Sequence, residues 1–143
     1  MILFTIGYEA ATLPEVVGRL RAAGVAVVLD VRAVAASRRA GFSKATLRAS
    51  LEAEGIAYEH LRGLGTPKPG REAARKGHIA EMAAIFAAHV RTPEARDALA
   101  LAVALARERP AALLCFEADA AGCHRRIVAA MIQEATGCEV RDL

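Results

Sequence analysis

The stretch Val25-Ala-Val-Val-Leu-Asp-Val31 decides the fold of this chain. Apolar, mostly β-branched residues follow one another there without the alternation of a half-exposed strand, which is typical of a strand buried on both faces. Strands of that kind occur in parallel sheets that have helices packed on each side. The exception in the run is Asp30, which we interpret as a buried acceptor for loop amides.

Strand and helix patterns alternate along the rest of the chain. Short apolar runs predict strands at 2–6, 25–31, 56–59, 111–116 and 138–141. Helical spacing of apolar residues predicts helices at about 12–23, 45–54, 79–90, 92–108 and 123–136, the first two capped by Thr12 and Ser43. This alternation predicts one α/β domain over residues 1–143, with a mostly parallel sheet of about five strands covered on both faces.

Residues 61–77 are rich in glycine, proline and basic side chains and have no apolar periodicity. Such a composition is typical of a loop. Loops of this length inside compact domains are usually functional. We therefore predict a long functional loop or a partly mobile flap in this segment.

The composition is that of a globular protein. Apolar residues make up 55% of the 143 residues and charged residues 24%, which excludes a disordered chain. No run approaches the roughly 20 apolar residues of a membrane-spanning helix, and the N-terminus lacks the pattern of a signal peptide. The three cysteines form an odd set without the spacing of a disulfide framework. These observations predict a cytoplasmic protein with no membrane partner.

The net charge of +3 is unevenly distributed. Residues 32–48 carry +5 and residues 61–78 carry +4, which leaves −6 for the remainder. A basic excess confined to two segments favours a local site for an anion. The alternative is an arginine-rich surface that faces solvent.

Polar residues follow the ends of the predicted strands. They are Tyr8 and Glu9 after the first strand, Asp30 and Arg32 at the end of the second, His60 after the third, and Cys115 and Glu117 at the end of the fourth. The carboxyl ends of parallel strands meet at one edge of a sheet, where ligands of such folds bind. We therefore expect these side chains to line one crevice.

The segment Cys123-His124-Arg125 places a thiol, an imidazole and a guanidinium at the predicted start of the last helix. A helix N-terminus and a neighbouring cation lower the pKa of a thiol, so Cys123 is a candidate nucleophile and His124 a candidate acid or base. Cys115 is a second candidate nucleophile, and Glu117 a second candidate for proton transfer. The alternative is that both cysteines are packing residues, since free cysteine is among the most buried residue types.

Three arginines are candidate ligands for an anion: Arg32, Arg38 and Arg125. A guanidinium binds a phosphate or a carboxylate through paired hydrogen bonds. The alternative for Arg32 is a structural pair with a carboxylate such as Asp30 or Glu117. Tyr8, Glu9 and His60 are further candidates for substrate contact.

Neither a metal nor a cofactor is predicted. The potential metal ligands are Cys115, Glu117, Cys123, His124 and His60. They contain no Cys-x-x-Cys or His-x-x-x-His spacing, and adjacent residues such as Cys123 and His124 rarely turn toward one ion. Gly7 lacks the further glycines of a dinucleotide site. With 4% aromatic residues, the chain is poorly suited to stacking bases along an extended surface.

Several segments, taken in order, resemble the DUF488 family. They are Thr5-Ile-Gly-Tyr-Glu9, Leu29-Asp-Val-Arg32, Ser37-Arg38, Gly41-Phe-Ser43, Gly55-Ile-Ala-Tyr-Glu-His60, Leu64-Gly65, Leu114-Cys-Phe-Glu117 and Cys123-His-Arg125. The resemblance runs from residue 3 to the C-terminus, and its Cys-x-Glu…Cys-His-Arg ending is the most specific part. The opening is similar to the Tyr-Glu branch of the family, from which the chain departs at Ala10, where glycine is common.

The resemblance implies a three-layer α/β/α, Rossmann-like fold. It also implies a signature set made of Gly7, Asp30, Arg32, Glu117, Cys123, His124 and Arg125. It implies no activity, because the family is named for its unknown function. The complete predicted binding set is Arg32, Arg38, Arg125, Gly7, Tyr8, Glu9, Asp30 and His60, and the complete catalytic set is Cys123, His124, Cys115 and Glu117.

The leading hypothesis is an enzyme that acts on an anionic, phosphate-bearing substrate related to nucleotides or nucleic acid. In this hypothesis the arginines orient the anion, one of the two cysteines attacks, and His124 or Glu117 transfers the proton. Two alternatives stay open: a binding module that uses the same arginines without catalysis, and a scaffold whose polar residues brace the strand ends. The apolar face at 79–90 suits a homodimer interface as well as a core.

Overall fold

Five strands and six α-helices build the structure, a computed structural model that describes all 143 residues. The strands are β1 (Ile2–Gly7), β2 (Val27–Asp30), β3 (Ala57–His60), β4 (Ala111–Cys115) and β5 (Glu139–Asp142). The helices are α1 (Leu13–Ala22), α2 (Lys44–Ala53), α3 (Lys68–Arg75), α4 (Ile79–His89), α5 (Pro93–Glu108) and α6 (Arg125–Thr136). Short 3₁₀ turns cover Arg62–Leu64 and Ala120–Gly122. None of the helices has the length and apolar character needed to cross a membrane.

Neighbouring strands are all parallel, in the order β3-β2-β4-β1-β5. At the centre of the sheet, Leu114 of β4 faces Asp30 of β2, and Cys115 faces Gly7 of β1. The predicted α/β class and the three-layer, Rossmann-like arrangement with about five strands are confirmed. This register brings the carboxyl ends of β1, β2 and β4 to one edge of the sheet.

Helices cover both faces of the sheet. On one face, α1 and α2 contribute Leu20 and Leu47 to a buried apolar cluster. On the other face, α4, α5 and α6 pack, and Phe86 and Val128 belong to a second cluster. Every residue of β2 and β4 is buried. The interpretation of the run at 25–31 as a strand covered on both faces is therefore confirmed.

The prediction of one long loop at residues 61–77 is wrong, because the segment contains a 3₁₀ turn and helix α3. Pro67 and Pro69 lie at the start of α3, where the missing N–H has no helical partner to lose and the fixed φ suits a helix. Gly70 is buried, and a Cβ there would lie 2.3 Å from Cγ2 of Thr66. The two prolines therefore start this helix and the glycine allows it to pack closely, although the high proline and glycine content had indicated a loop.

Replacement of Gly7 by alanine is expected to destabilise the fold. A Cβ on Gly7 would lie 1.7 Å from the carbonyl oxygen of Glu117, so the loop after β4 would have to move. We expect Gly7→Ala to lower the free energy of unfolding by roughly 1–3 kcal/mol, the usual cost of overpacking. Urea denaturation followed by circular dichroism measures this change.

The matched control is Gly18→Ala on the exposed side of α1. Nothing lies within 4 Å of a Cβ at Gly18, and alanine in a helix interior is favoured over glycine by roughly 0.5–1 kcal/mol. This variant should be as stable as the wild type or slightly more stable. A Gly7→Ala protein with unchanged stability would contradict the close approach of the two backbones.

Candidate functional site

A cavity of about 410 Å³ lies at the carboxyl edge of the sheet. Of the predicted site residues, its wall includes Tyr8, Arg32, Arg38, Cys115, Glu117 and His124. The residues that are not part of the wall are Gly7, Glu9, Asp30, His60, Cys123 and Arg125. The structure thus divides the predicted residues into a set that faces the cavity and a set that supports it.

Cys115, Cys123 and His124 form a buried cluster beside the cavity. Their sulfur and ring nitrogen atoms lie within 4.8 Å of one another, and Nδ1 of His124 is 3.8 Å from each sulfur. The other ring nitrogen, Nε2, lies 2.7 Å from the carbonyl oxygen of Val31. Because a carbonyl only accepts hydrogen bonds, Nε2 carries the proton, and Nδ1 of the neutral ring turns its lone pair toward the thiols.

The structure corrects the predicted setting of Cys123. Helix α6 begins at Arg125 with His124 as its N-cap, and Cys123 precedes it in extended backbone with φ −126° and ψ 141°. The prediction of a lowered pKa is also wrong, because the hydrogen bond with Cys115 and burial raise the pKa of the Cys123 thiol. The guanidinium of Arg125, which was expected to stabilise a thiolate, is engaged elsewhere.

The thiol that reaches the cavity is that of Cys115. Cys115 and His124 are both buried, yet both contribute to the wall, and Oε2 of Glu117 lies 3.6 Å from Sγ of Cys115. Burial alone would lower the pKa of His124, but its contacts with Cys123 and with the carbonyl of Val31 raise it above the usual value. An imidazole that holds a proton readily beside a thiol is suited to act as the base for that thiol.

Arg32 forms a buried ion pair with Asp30. Its Nε and one terminal nitrogen donate to the two carboxylate oxygens at 2.9 and 2.7 Å, and the other terminal nitrogen donates to Tyr8 Oη and the carbonyl of Phe42. Burial alone would lower the pKa of Arg32, but Asp30 raises it. Burial and the same carboxylate raise the pKa of Tyr58. The network satisfies most of the donors of Arg32, as the structural alternative for this residue expected.

Arg125 supports the loop that follows β4. The residue is 1% exposed, and its guanidinium donates to the carbonyl oxygens of Glu117 and Ala118 and to Oγ1 of Thr5. Gly7 allows the same loop to pass close to β1, since any side chain at this position would collide with it. These contacts give Arg125 and Gly7 a bracing role, and an anion contact by Arg125 stays a prediction.

Glu9 and His60 are also bonded to backbone groups. The carboxylate of Glu9 accepts from the N–H of Ala118 at 3.1 Å, and its own N–H donates to the carbonyl of Phe116 at 2.8 Å. Nε2 of His60 lies 2.8 Å from the carbonyl oxygen of Arg32. Both residues tie strand-end loops together, and their substrate contacts stay predictions.

Two arginines that the sequence analysis did not select join Arg38 in the wall: Arg71 and Arg75 of α3. None of the three forms an ion pair with an acidic side chain. A hydrogen bond of 2.9 Å from Arg71 to the carbonyl of Thr66 fixes the position of its guanidinium. The two basic segments of the sequence therefore meet at one cavity. The positive charge excess of the two segments indicated an anion site in the sequence. Which arginines line the cavity depends on helix α3, which the sequence did not predict.

The Cys115, Cys123 and His124 cluster is also the group of potential metal ligands whose atoms converge. The sequence spacing predicted no metal site, because adjacent residues were expected to point apart. The extended backbone at Cys123 followed by the helical backbone at His124 turns both side chains toward Cys115.

A family model described as "Domain of unknown function DUF488" matches residues 12–132. The match confirms the resemblance and includes Asp30, Arg32 and the Cys-x-Glu…Cys-His-Arg ending, whereas the opening motif with Gly7 precedes it. No curated protein and no solved structure matches the chain.

The Asp30–Arg32 pair predicts a large loss of stability when one partner is removed. Arg32→Ala leaves the carboxylate of Asp30, which is 0% exposed, without its cation. The expected loss is about 3–5 kcal/mol in the free energy of unfolding, as for other buried pairs. Chemical denaturation monitored by circular dichroism measures it.

Arg21→Ala is the control for this experiment. It removes an exposed ion pair with Glu54 at 3.0 Å, and such pairs contribute about 0–1 kcal/mol. Similar losses in the two variants would show that the buried network does not hold the strand ends together.

Proposed function

The chain belongs to the DUF488 family, whose domain has no established function, and from the geometry of its cavity we propose that it is an enzyme acting on a small phosphate-bearing molecule. The substrate class is a nucleotide or a related organic phosphate. Arg38, Arg71 and Arg75 bind the phosphate, and the thiol of Cys115 attacks the bound molecule with His124 as its base.

One observation carries this proposal: three arginines without acidic partners stand in the same wall as a thiol and an imidazole. Guanidinium groups pair with phosphate oxygens in a planar, bidentate geometry. Structural arginines in this protein, such as Arg32 and Arg125, spend their donors on protein atoms. Arg38 and Arg75 are exposed, and the half-buried Arg71 donates one bond to the carbonyl of Thr66, so these three keep donors for a ligand from solution.

The size and lining of the cavity favour a small organic molecule. Its volume of about 410 Å³ lies within the range of roughly 300–1,000 Å³ that is usual for small-molecule sites. Val34 and Phe116 line it and are 56% and 41% exposed, so they offer apolar surface to the part of the ligand that is not phosphate. A long nucleic-acid strand would need an extended surface with stacking aromatics, for which 4% aromatic residues provide little material.

The proposed chemistry is a nucleophilic displacement followed by hydrolysis. The proton of Cys115 moves to Nδ1 of His124, and the sulfur forms a bond to the electrophilic atom of the substrate while the leaving group departs. The protonated imidazole, or Glu117 beside it, returns a proton to that leaving group. Water then cleaves the bond to sulfur and restores the thiol, so the net reaction consumes one water and releases two products.

In the alternative function, the protein is a binding module: the arginines bind the phosphate and no reaction follows. Hydrogen bonding to Cys115 and burial raise the pKa of Cys123 and oppose a thiolate there, so any thiol chemistry depends on Cys115 alone. The two functions differ in whether Cys115 reacts, and that difference is measurable.

The first prediction concerns the arginines. Arg38→Ala and Arg71→Ala should each weaken binding of inorganic phosphate and of nucleoside monophosphates roughly 10- to 100-fold, because each loses hydrogen bonds between charged groups. Isothermal titration calorimetry at low salt measures this loss. Arg109→Ala, an exposed arginine before β4 at the opposite end of the sheet, should bind as the wild type does. Equal phosphate affinity in all variants would show that Arg38 and Arg71 do not bind the phosphate.

The second prediction concerns the cysteines. Iodoacetamide should modify Cys115 before Cys123, because Cys115 lines the cavity whereas Cys123 is 2% exposed and has a raised pKa. Bound phosphate should slow the reaction of Cys115, and the buried Cys138 serves as the unreactive reference. Mass spectrometry of tryptic peptides gives the three rates. If Cys115 reacts as slowly as Cys138 while phosphate still binds, the binding module is the correct function.

A further inference from the structure

We propose that Cys115, Cys123 and His124 form a binding site for a thiophilic divalent ion, Zn²⁺, with one coordination position open toward the cavity. The inference goes beyond the proposed function, because a zinc site needs none of the cavity arginines. Its consequence rests on that function: a zinc ion bound there would stop the chemistry of Cys115.

The distances suit zinc without a change in the fold. The ligand atoms lie within 4.8 Å of one another, with Nδ1 3.8 Å from each sulfur. A point equidistant from three atoms so arranged is roughly 2.2–2.5 Å from each, close to Zn–S bonds of about 2.3 Å and Zn–N bonds of about 2.0–2.1 Å. Small side-chain rotations therefore complete the coordination.

The orientation of the imidazole is the second argument. Metal-binding histidines usually donate their other ring N–H to a backbone carbonyl or a carboxylate, which fixes the tautomer and the plane of the ring. Nε2 of His124 has such a partner in the carbonyl of Val31 at 2.7 Å. The lone pair of Nδ1 is therefore aimed at the two sulfurs before any ion arrives.

Charge balance is the third argument. Two thiolates and one Zn²⁺ make a complex with no net charge, which a buried position accepts more readily than free thiolates. Binding releases two thiol protons to solvent, and it should tighten as the pH rises. The guanidinium of Arg125, the residue after His124, donates to Thr5 and to the carbonyls of the loop after β4 and to neither sulfur.

The open position is the fourth argument. Cys115 and His124 are part of the cavity wall, whereas Cys123 lies behind them. Three protein ligands and one accessible position are typical of zinc sites that take water or a ligand. The ion would use the lone pairs of Sγ and Nδ1 that the thiol reaction requires, so zinc should inhibit that reaction until a chelator removes it.

Zinc titration of the chelator-treated protein tests the proposal, with competition against a chromophoric chelator as the readout. We expect one ion per chain, and Co²⁺ in its place should give the charge-transfer bands of a thiolate ligand and the intense visible bands of tetrahedral cobalt. Cys123→Ser and Cys115→Ser should each weaken zinc binding by more than the roughly 10- to 100-fold that the loss of an outer-shell partner costs, because each removes a thiolate ligand. Cys138→Ser, which removes a buried cysteine outside the cluster, should bind zinc like the wild type.

The outcomes separate this inference from the proposed function. The absence of stoichiometric zinc binding, or a Cys123→Ser variant that binds as tightly as the wild type with a native circular dichroism spectrum, would overturn it. Arg38→Ala should bind zinc normally even though its affinity for phosphate falls. Zinc should protect Cys115 from iodoacetamide in that variant, at a phosphate concentration that protects the wild type but not the variant. Loss of zinc binding in Arg38→Ala would also overturn the proposal, because the zinc site would then depend on the cavity arginines.

Discussion

The hydrogen bond from Nε2 of His124 to the carbonyl oxygen of Val31 fixes the orientation of the imidazole at this edge of the sheet. It connects the residue after β2 to the N-cap of α6, and it leaves Nδ1 as the only ring nitrogen with a free lone pair. Without this bond the proton could move to Nδ1, and the lone pair would face away from the two sulfurs. A thiol proton and a metal ion both require the same orientation, so both proposed roles depend on one backbone carbonyl.

The protein separates its arginines by burial. Arg32 and Arg125 are 5% and 1% exposed, and each is satisfied by protein groups because an unpaired buried charge would be costly. Asp30 neutralises the charge of Arg32. Carbonyl oxygens of the loop after β4 accept hydrogen bonds from Arg125. Arg38 is exposed and has no acidic partner. Buried guanidinium groups therefore shape the site, and exposed ones remain available to a ligand.

The sequence predicted those features that depend on a local pattern. An apolar run with Asp30 as its one exception was enough to identify the strand at 25–31 and, with the alternation of elements, the parallel sheet. Which of the two cysteines, Cys115 or Cys123, lines the cavity was not predictable. It depends on backbone angles at Cys123 and His124 that no periodicity encodes. Helix α3 was missed since its prolines and Gly70 occupy the first turn, where they do not break a helix. The arginines of that helix were consequently missed with it.

In the proposed function, the site combines rigid reactive groups with a more adaptable set of arginines, Arg38, Arg71 and Arg75. Cys115 ends the central strand and His124 caps α6, so both are fixed before a ligand binds, and little reorganisation is needed during reaction. In the proposed function, the exposed side chain of Arg38 loses conformational freedom when it binds an anion, and this loss lowers the affinity that the charges alone would give. Changes in the wall should therefore alter which anion binds, whereas changes at the strand ends should alter what happens to it. On a fold that hosts many chemistries, this separation lets substrate choice vary while the thiol and imidazole keep their geometry.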